Sequence, residues 1–225
     1  MKAGIASYIE YTNLKVDMTS DDLKTMCADA IQYGFPAINI NQYFIPEAVE
    51  LLAGSNVVIG CGSGYPLGSY SSKVKEYEAK DAVKMGAGAI DAMLNVSAFK
   101  MKRYDFVMDE LHRIIQASRS VNDRVIMKLI IECCLLTDDE KKRICEMAVE
   151  AGMDYVKSST GMNKYGATTR DIKLMYEAVQ GKILVKAAGG IKDYAFAKEL
   201  IEAGAVRLGS SSGPQIVAEE RTANE

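Results

Sequence analysis

Glu150-Ala151-Gly152-Met153-Asp154-Tyr155-Val156-Lys157 carries a helix end, a glycine and a short apolar strand in one stretch. Glycine supplies the left-handed residue that stops a helix. The same joint recurs: Gln32-Tyr33-Gly34, Lys84-Met85-Gly86 and Glu202-Ala203-Gly204 each end a helical pattern and precede a short apolar run. Repeated helix–glycine–strand units imply a parallel sheet, whose neighbouring strands need a crossover helix between them. Eight such units fit one closed (β/α)8 TIM barrel, and 225 residues is a usual length for it. The expectation is an α/β fold in which residues 1–225 form a single barrel domain. No linker rich in Pro, Gly or Ser divides the chain. A doubly wound sheet is the alternative, but it would carry GxGxxG after its first strand, and none stands there.

Working outward, strands are expected at 8–12, 37–40, 57–61, 89–94, 124–131, 155–157, 183–186 and 206–208. Thr19-Ser20-Asp21-Asp22 is a helix start, a hydroxyl cap followed by acids, and Leu23, Met26, Cys27 and Ala30 continue at helical spacing. Thr137-Asp138-Asp139-Glu140 repeats that start. Further helices are expected at 72–85, 103–118, 168–180 and 193–203, a short one between Pro46 and Gly54, and a last one from Gly213. The stretch 60–68, with four glycines and Pro66, reads as a loop.

Composition narrows the function classes. Hydrophobic residues are 48% and charged residues 25%, as in ordinary globular domains. A net charge of -3 and a pI near 5.4 favour neither nucleic acid nor an anionic membrane. The apolar region 125–136 is broken by Lys128 and Glu132 and is too short to span a bilayer. Met1-Lys2-Ala3-Gly4-Ile5 lacks the apolar core of a signal peptide. Five cysteines, odd in number and without a CxxC, read as reduced thiols of a cytoplasmic protein. The one histidine, His112, sits in a helical pattern and reads as a surface or groove residue rather than a ligand, so no metal site is expected.

The chemistry rests on lysine. A lysine at the end of a buried strand loses water, which favours the neutral, nucleophilic amine that makes Schiff bases with carbonyls. Lys157, in Val156-Lys157-Ser158-Ser159-Thr160-Gly161, is one such residue. Lys186, in Val185-Lys186-Ala187-Ala188-Gly189-Gly190, is a second, and two close lysines would each lower the other's pKa. Alternation along strands puts Ala89, Asp91 and Met93 on one face, and Ile126, Lys128, Ile130 and Glu132 on another. If these faces point inward, one or two acids and three lysines meet at the C-terminal mouth, where barrel active sites lie. A plain buried ion pair is the bland alternative. The last two loops, Gly189-Gly190 and Gly209-Ser210-Ser211-Ser212-Gly213, pair glycines and hydroxyls with a helix start, a combination suited to phosphate. Thr160 and Gly161 are grouped with them as candidate substrate contacts. No cofactor is expected.

These residues resemble the deoxyribose-phosphate aldolase family over nearly the whole chain. The most specific matches are residues 156–161 and 185–190, Ile130-Ile131-Glu132 through Leu135-Leu136-Thr137, and Tyr65-Pro66-Leu67-Gly68. The resemblance implies a (β/α)8 barrel that reversibly joins acetaldehyde to glyceraldehyde 3-phosphate, giving 2-deoxyribose 5-phosphate. It implies that Lys157 forms the Schiff base and that Lys186 depresses its pKa. Asp91 would move protons through a water, with Lys128 as its polar neighbour. The chain departs from the family at Glu10-Tyr11-Thr12-Asn13-Leu14, where Asp-His-Thr-Leu-Leu is usual, and at Asn39, where a cysteine is common. Gly62-Ser63-Gly64 stands where bulkier apolar residues are usual, and the sequence ends Arg221-Thr222-Ala223-Asn224-Glu225 rather than in a tyrosine. A Schiff-base aldolase on another phosphorylated sugar and a non-catalytic phosphosugar-binding barrel are the alternatives. Pairing of two copies into a homodimer through outer helices is also expected.

Overall fold

A computed structural model describes residues 4–223. Met1–Ala3, part of the segment read for a signal core, and Asn224 and Glu225 of the tail lie outside them. The strands are β1 (Ile9–Asn13), β2 (Ala37–Ile40), β3 (Val58–Ser63), β4 (Ala89–Met93), β5 (Ile126–Ile130), β6 (Tyr155–Lys157), β7 (Leu184–Ala188) and β8 (Arg207–Ser210). All pair in parallel in sequence order, and β8 returns to β1 to close the barrel. The helices are α1 (Ser20–Tyr33), α2 (Ile45–Leu51), α3 (Ser72–Met85), α4 (Val96–Lys100), α5 (Tyr104–Arg119), α6 (Asp138–Ala151), α7 (Thr169–Val179), α8 (Tyr194–Glu202) and α9 (Gly213–Ala223). Among the described residues, no helix is long and apolar enough to cross a membrane.

Local chemistry sets the joints. Thr19 and Asp22 form a capping box at the start of α1, and Thr137 and Glu140 form one at α6. Gly34, Gly86 and Gly152 cap α1, α3 and α6 at positive φ, the conformation that favours glycine.

Alternation sorts the strand residues. Ile38, Ile40, Ile90, Ala92, Met127, Leu129, Val156, Val185 and Leu208 belong to the apolar core shared with the helices. Glu10, Asn39, Asp91, Lys128, Lys157 and Lys186 occupy intervening positions and are buried too. The sheet thus keeps its apolar face for the helices and places charge in the barrel interior.

Three expectations need correction. The stretch from Gly60 is not all loop: β3 runs to Ser63, because its backbone pairs with β4 as far as Ala92. β7 and β8 also run further than expected, so Lys186 is mid-strand and Gly209 and Ser210 are strand residues. Helix α4 was not foreseen, since five residues are too few to show a helical period.

Candidate active site

Strand register assembles the charged cluster. Asp91 of β4 pairs with Lys128 of β5, and Lys157 of β6 with Lys186 of β7. Lys157 Nζ donates to Asp91 Oδ2 at 2.7 Å, and Lys186 Nζ donates to the same oxygen at 3.0 Å. Lys186 also donates to Glu10 of β1. Lys128 Nζ reaches both Glu10 oxygens, at 2.8 and 2.7 Å, and lies 3.5 Å from Asp91 Oδ1. Asn39 completes the shell by donating to Glu10 Oε2 at 2.9 Å. Glycine at 60 leaves space for this amide, because a Cβ there would stand 2.5 Å from Asn39 Oδ1. Asp91 Oδ1 accepts no hydrogen bond among the described residues.

Three ammonium groups therefore share two carboxylates, and the shortfall is uneven. Burial would raise the Asp91 carboxyl, but Lys157, Lys186 and Lys128 hold it well below the usual range. Burial likewise opposes Glu10, which Lys128 and Lys186 bring down to about 2. Lys186, between both acids, is pushed above the usual lysine range despite its burial. Among the described residues, Lys157 has Asp91 as its only carboxylate partner. Burial lowers its amine to about 8; Asp91 works against that and Lys186 adds to it. The mutual lowering expected for the two lysines thus holds for Lys157 alone, because Glu10 and Asp91 together over-compensate Lys186.

A cavity of about 470 Å³ opens over this cluster. Lys157, Thr160, Gly161, Gly189, Gly190, Gly209 and Ser211 line it. Lys157 is the one member of the buried lysine trio that does. Asp91, Lys128 and Lys186 are not on its wall, so Lys128 is a partner of Glu10 rather than a cavity contact. Ser212 is also off the wall, its amide held by Ser210 Oγ at 2.9 Å. Gly161, Gly189 and Gly190 all take positive φ, and the amides of these three donate no hydrogen bond among the described residues. The two loops touch through glycine: a Cβ on Gly189 would stand 3.1 Å from Gly161 Cα. Gly209 leaves space for the Lys186 stem, whose Cε would lie 3.4 Å from a Cβ there.

Several residues escaped the sequence reading. Glu10 was read as a strand residue and as a departure from the family pattern but not as a member of the charged cluster, although a charge at an alternating strand position is itself a signal. Lys15 and Lys192 bring cations to the cavity wall, and Lys192 follows the double glycine closely enough to have been suspected. Glu132 is not the cluster's second acid. It sits at φ 55, beyond the end of β5, and its carboxylate accepts from the amide and hydroxyl of Thr160. His112 is exposed as expected. The cysteines form no disulfide, and four are buried while Cys134 is partly exposed.

The chain matches the family model described as DeoC/LacD family aldolase over residues 6–218. It is 44% identical to the deoxyribose-phosphate aldolase of Carboxydothermus hydrogenoformans, over 95% of this chain and 93% of that one. It is 43% identical to that of Thermococcus kodakarensis, over 96% of each. Among solved structures, the deoxyribose phosphate aldolase of Aeropyrum pernix, described as a tetramer, superposes with a TM-score of 0.90 at 25% identity, covering 97% of this chain and 92% of that one.

Proposed function

The chain belongs to the DeoC/LacD aldolase family, and from that premise we propose that it cleaves 2-deoxy-D-ribose 5-phosphate reversibly to D-glyceraldehyde 3-phosphate and acetaldehyde, through a Schiff base on Lys157. The observation that carries the mechanism is that Lys157 alone of the buried trio reaches the cavity, with an amine brought down to about 8. At pH 7 about one such amine in ten is neutral, against fewer than about one in a thousand for an ordinary lysine.

Neutral Lys157 attacks C1 of the open-chain sugar and water leaves as the iminium forms. The 3-hydroxyl then loses its proton, the C2–C3 bond breaks, and its electron pair moves into the iminium to give an enamine. Glyceraldehyde 3-phosphate departs; protonation of the enamine and hydrolysis release acetaldehyde and restore Lys157. Asp91, whose Oδ1 accepts no hydrogen bond among the described residues, relays these protons through a water. Lys186 keeps Lys157 poised. The phosphate lies against the amides of Gly161, Gly189 and Gly190 and the hydroxyl of Ser211, with Lys15 and Lys192 supplying charge. Its binding energy positions the reacting carbons.

The same reading includes a cytoplasmic setting, consistent with five unpaired thiols, and a homodimer, which light scattering would measure. The test of function is turnover: the purified chain should release glyceraldehyde 3-phosphate and acetaldehyde from 2-deoxyribose 5-phosphate. Cleavage of a different phosphorylated sugar instead would move the substrate. No turnover and no lysine adduct with any aldehyde would leave a binding protein.

A further inference from the structure

Two buried charged groups outside the lysine cluster hold opposite ends of one strap. On one side, Lys75 of α3 is sealed between Glu110 of α5 and the carbonyl of Gly68, which it reaches at 3.2 Å. Glu78 accepts from the Gly64 amide at 2.6 Å, so the segment between Gly64 and Gly68 is clamped at both ends. On the other side, Glu132 holds the amide and hydroxyl of Thr160. Tyr65 joins the two: its hydroxyl donates to the Thr160 carbonyl at 2.8 Å, crossing from the loop after β3 to the loop after β6. The ring lies against Gly62, where a Cβ would stand 2.7 Å from Tyr65 Cβ, and Gly62 is the register partner of Asp91. A bulkier residue at 62 would drive the ring out of this seat. Tyr65 and Lys157 border the same cavity.

We propose that Tyr65 is the specificity-determining residue of the donor end: tied to Thr160, its ring roofs the chamber at Lys157 and admits acetaldehyde while excluding donors one methyl larger. The proposal rests on the Schiff-base reading above. The strand order supports it, because β4 and β5, which carry Asp91 and Lys128, lie between β3 and β6, the two strands whose following loops Tyr65 joins. Burial, helped by Glu132 and Asp91, pushes the phenol up to about 12, so it remains a donor to Thr160 at any working pH. With the two loops held by Lys75 and Glu132, the ring swings aside only by breaking its partly buried hydrogen bond to Thr160, whereas acetaldehyde needs no such movement.

The experiment compares Tyr65→Ala and Tyr65→Phe with wild type, using acetaldehyde, propanal and acetone as donors. Two quantities are read: the cyanoborohydride-trapped adduct on Lys157, and aldol turnover with D-glyceraldehyde 3-phosphate. Discrimination against one methyl group is worth about tenfold or more in a closed pocket. Tyr65→Ala should therefore raise the propanal-to-acetaldehyde ratio about tenfold. Tyr65→Phe keeps the ring and removes only the tie, and should raise it about threefold; it also decides the matter if the alanine variant does not fold. Ratios unchanged within about twofold in both folded variants, or a wild type that takes propanal as readily as acetaldehyde, would overturn the proposal while leaving the aldolase reading intact. A wild type that forms no adduct with any donor would remove the Schiff-base reading and this proposal with it.

Discussion

Lys75 and Lys157 are both buried, both paired with a carboxylate, and burial lowers the pKa of both, yet they sit in opposite situations. Among the described residues Lys75 is the one cation paired with Glu110, between α3 and α5, and it does not line the cavity over the lysine cluster. Lys157 shares Asp91 with Lys186 and opens onto 470 Å³ of space. A depressed amine is thus not a site by itself. It becomes one where the surrounding charge is unbalanced and a carbonyl can reach the nitrogen. The matched pair holds a loop, and the unmatched trio, in the proposed mechanism, supplies the nucleophile.

Substitution separates the two situations most sharply. Lys157→Met should abolish cleavage of 2-deoxyribose 5-phosphate, by on the order of 10⁴-fold or more, in a protein that remains folded. Lys75→Met should act through stability, because it strands Glu110; breaking a buried pair costs about 3–5 kcal/mol and lowers Tm by roughly 10 °C. Circular dichroism melting and turnover per folded molecule distinguish them. A folded, stable Lys75→Met without activity would break the comparison.

Lys186→Leu probes the imbalance itself. Two lysines would then face two carboxylates, and Asp91 Oδ2 would serve Lys157 alone. The pKa of Lys157 should climb by about one to two units, with a ten- to hundred-fold loss near pH 7, about tenfold per unit. The rate should recover as pH rises, in single-turnover pH profiles. An equal loss at every pH would place Lys186 in the chemistry instead.

Glu10→Gln tests the other half of the cluster. Glu10 titrates at about 2 in the folded protein, against an ordinary value of 4.5. The unfolded chain therefore binds the proton first as pH falls. Its contribution to stability is present above pH 4.5 and is lost between there and about 2. The stability gap between wild type and Glu10→Gln, from denaturant titrations, should narrow across that window. A gap independent of pH would mean that packing rather than charge sets it.

The smallest effect is expected at the far end of the cavity. Ser211→Ala removes one hydroxyl, worth about 1 kcal/mol, so KM for glyceraldehyde 3-phosphate should rise about fivefold while KM for unphosphorylated glyceraldehyde stays put. A rise for both would take Ser211 away from the phosphate.

Much of this arrangement is legible in the chain. The glycine joints at 34, 86 and 152 mark helix ends, and strand alternation alone sends Asp91, Lys128 and Lys157 to one interior. What escapes is what depends on distant partners. Glu10 meets Lys186 from 176 positions away, and only barrel closure between β1 and β8 makes them neighbours. Without Glu10, two close lysines look equivalent; with it, one is raised and one lowered. The bond from Tyr65 to Thr160 is invisible for the same reason, since it joins loops after β3 and β6. Strand ends were read short at β3, β7 and β8 because glycine, alanine and serine carry little strand signal, while the barrel's hydrogen bonds fix them regardless.

The central claim is that Lys157, and not its neighbours, is the poised amine. Its most direct measurement is the pH dependence of cyanoborohydride trapping with acetaldehyde, with the modified residue located by peptide mass spectrometry. We expect one adduct, on Lys157, with a trapping rate that reaches half its maximum near pH 8, where the amine titrates. An adduct on Lys186 or Lys128, or a Lys157 adduct whose rate keeps climbing to the ordinary lysine value of 10.5, would contradict it.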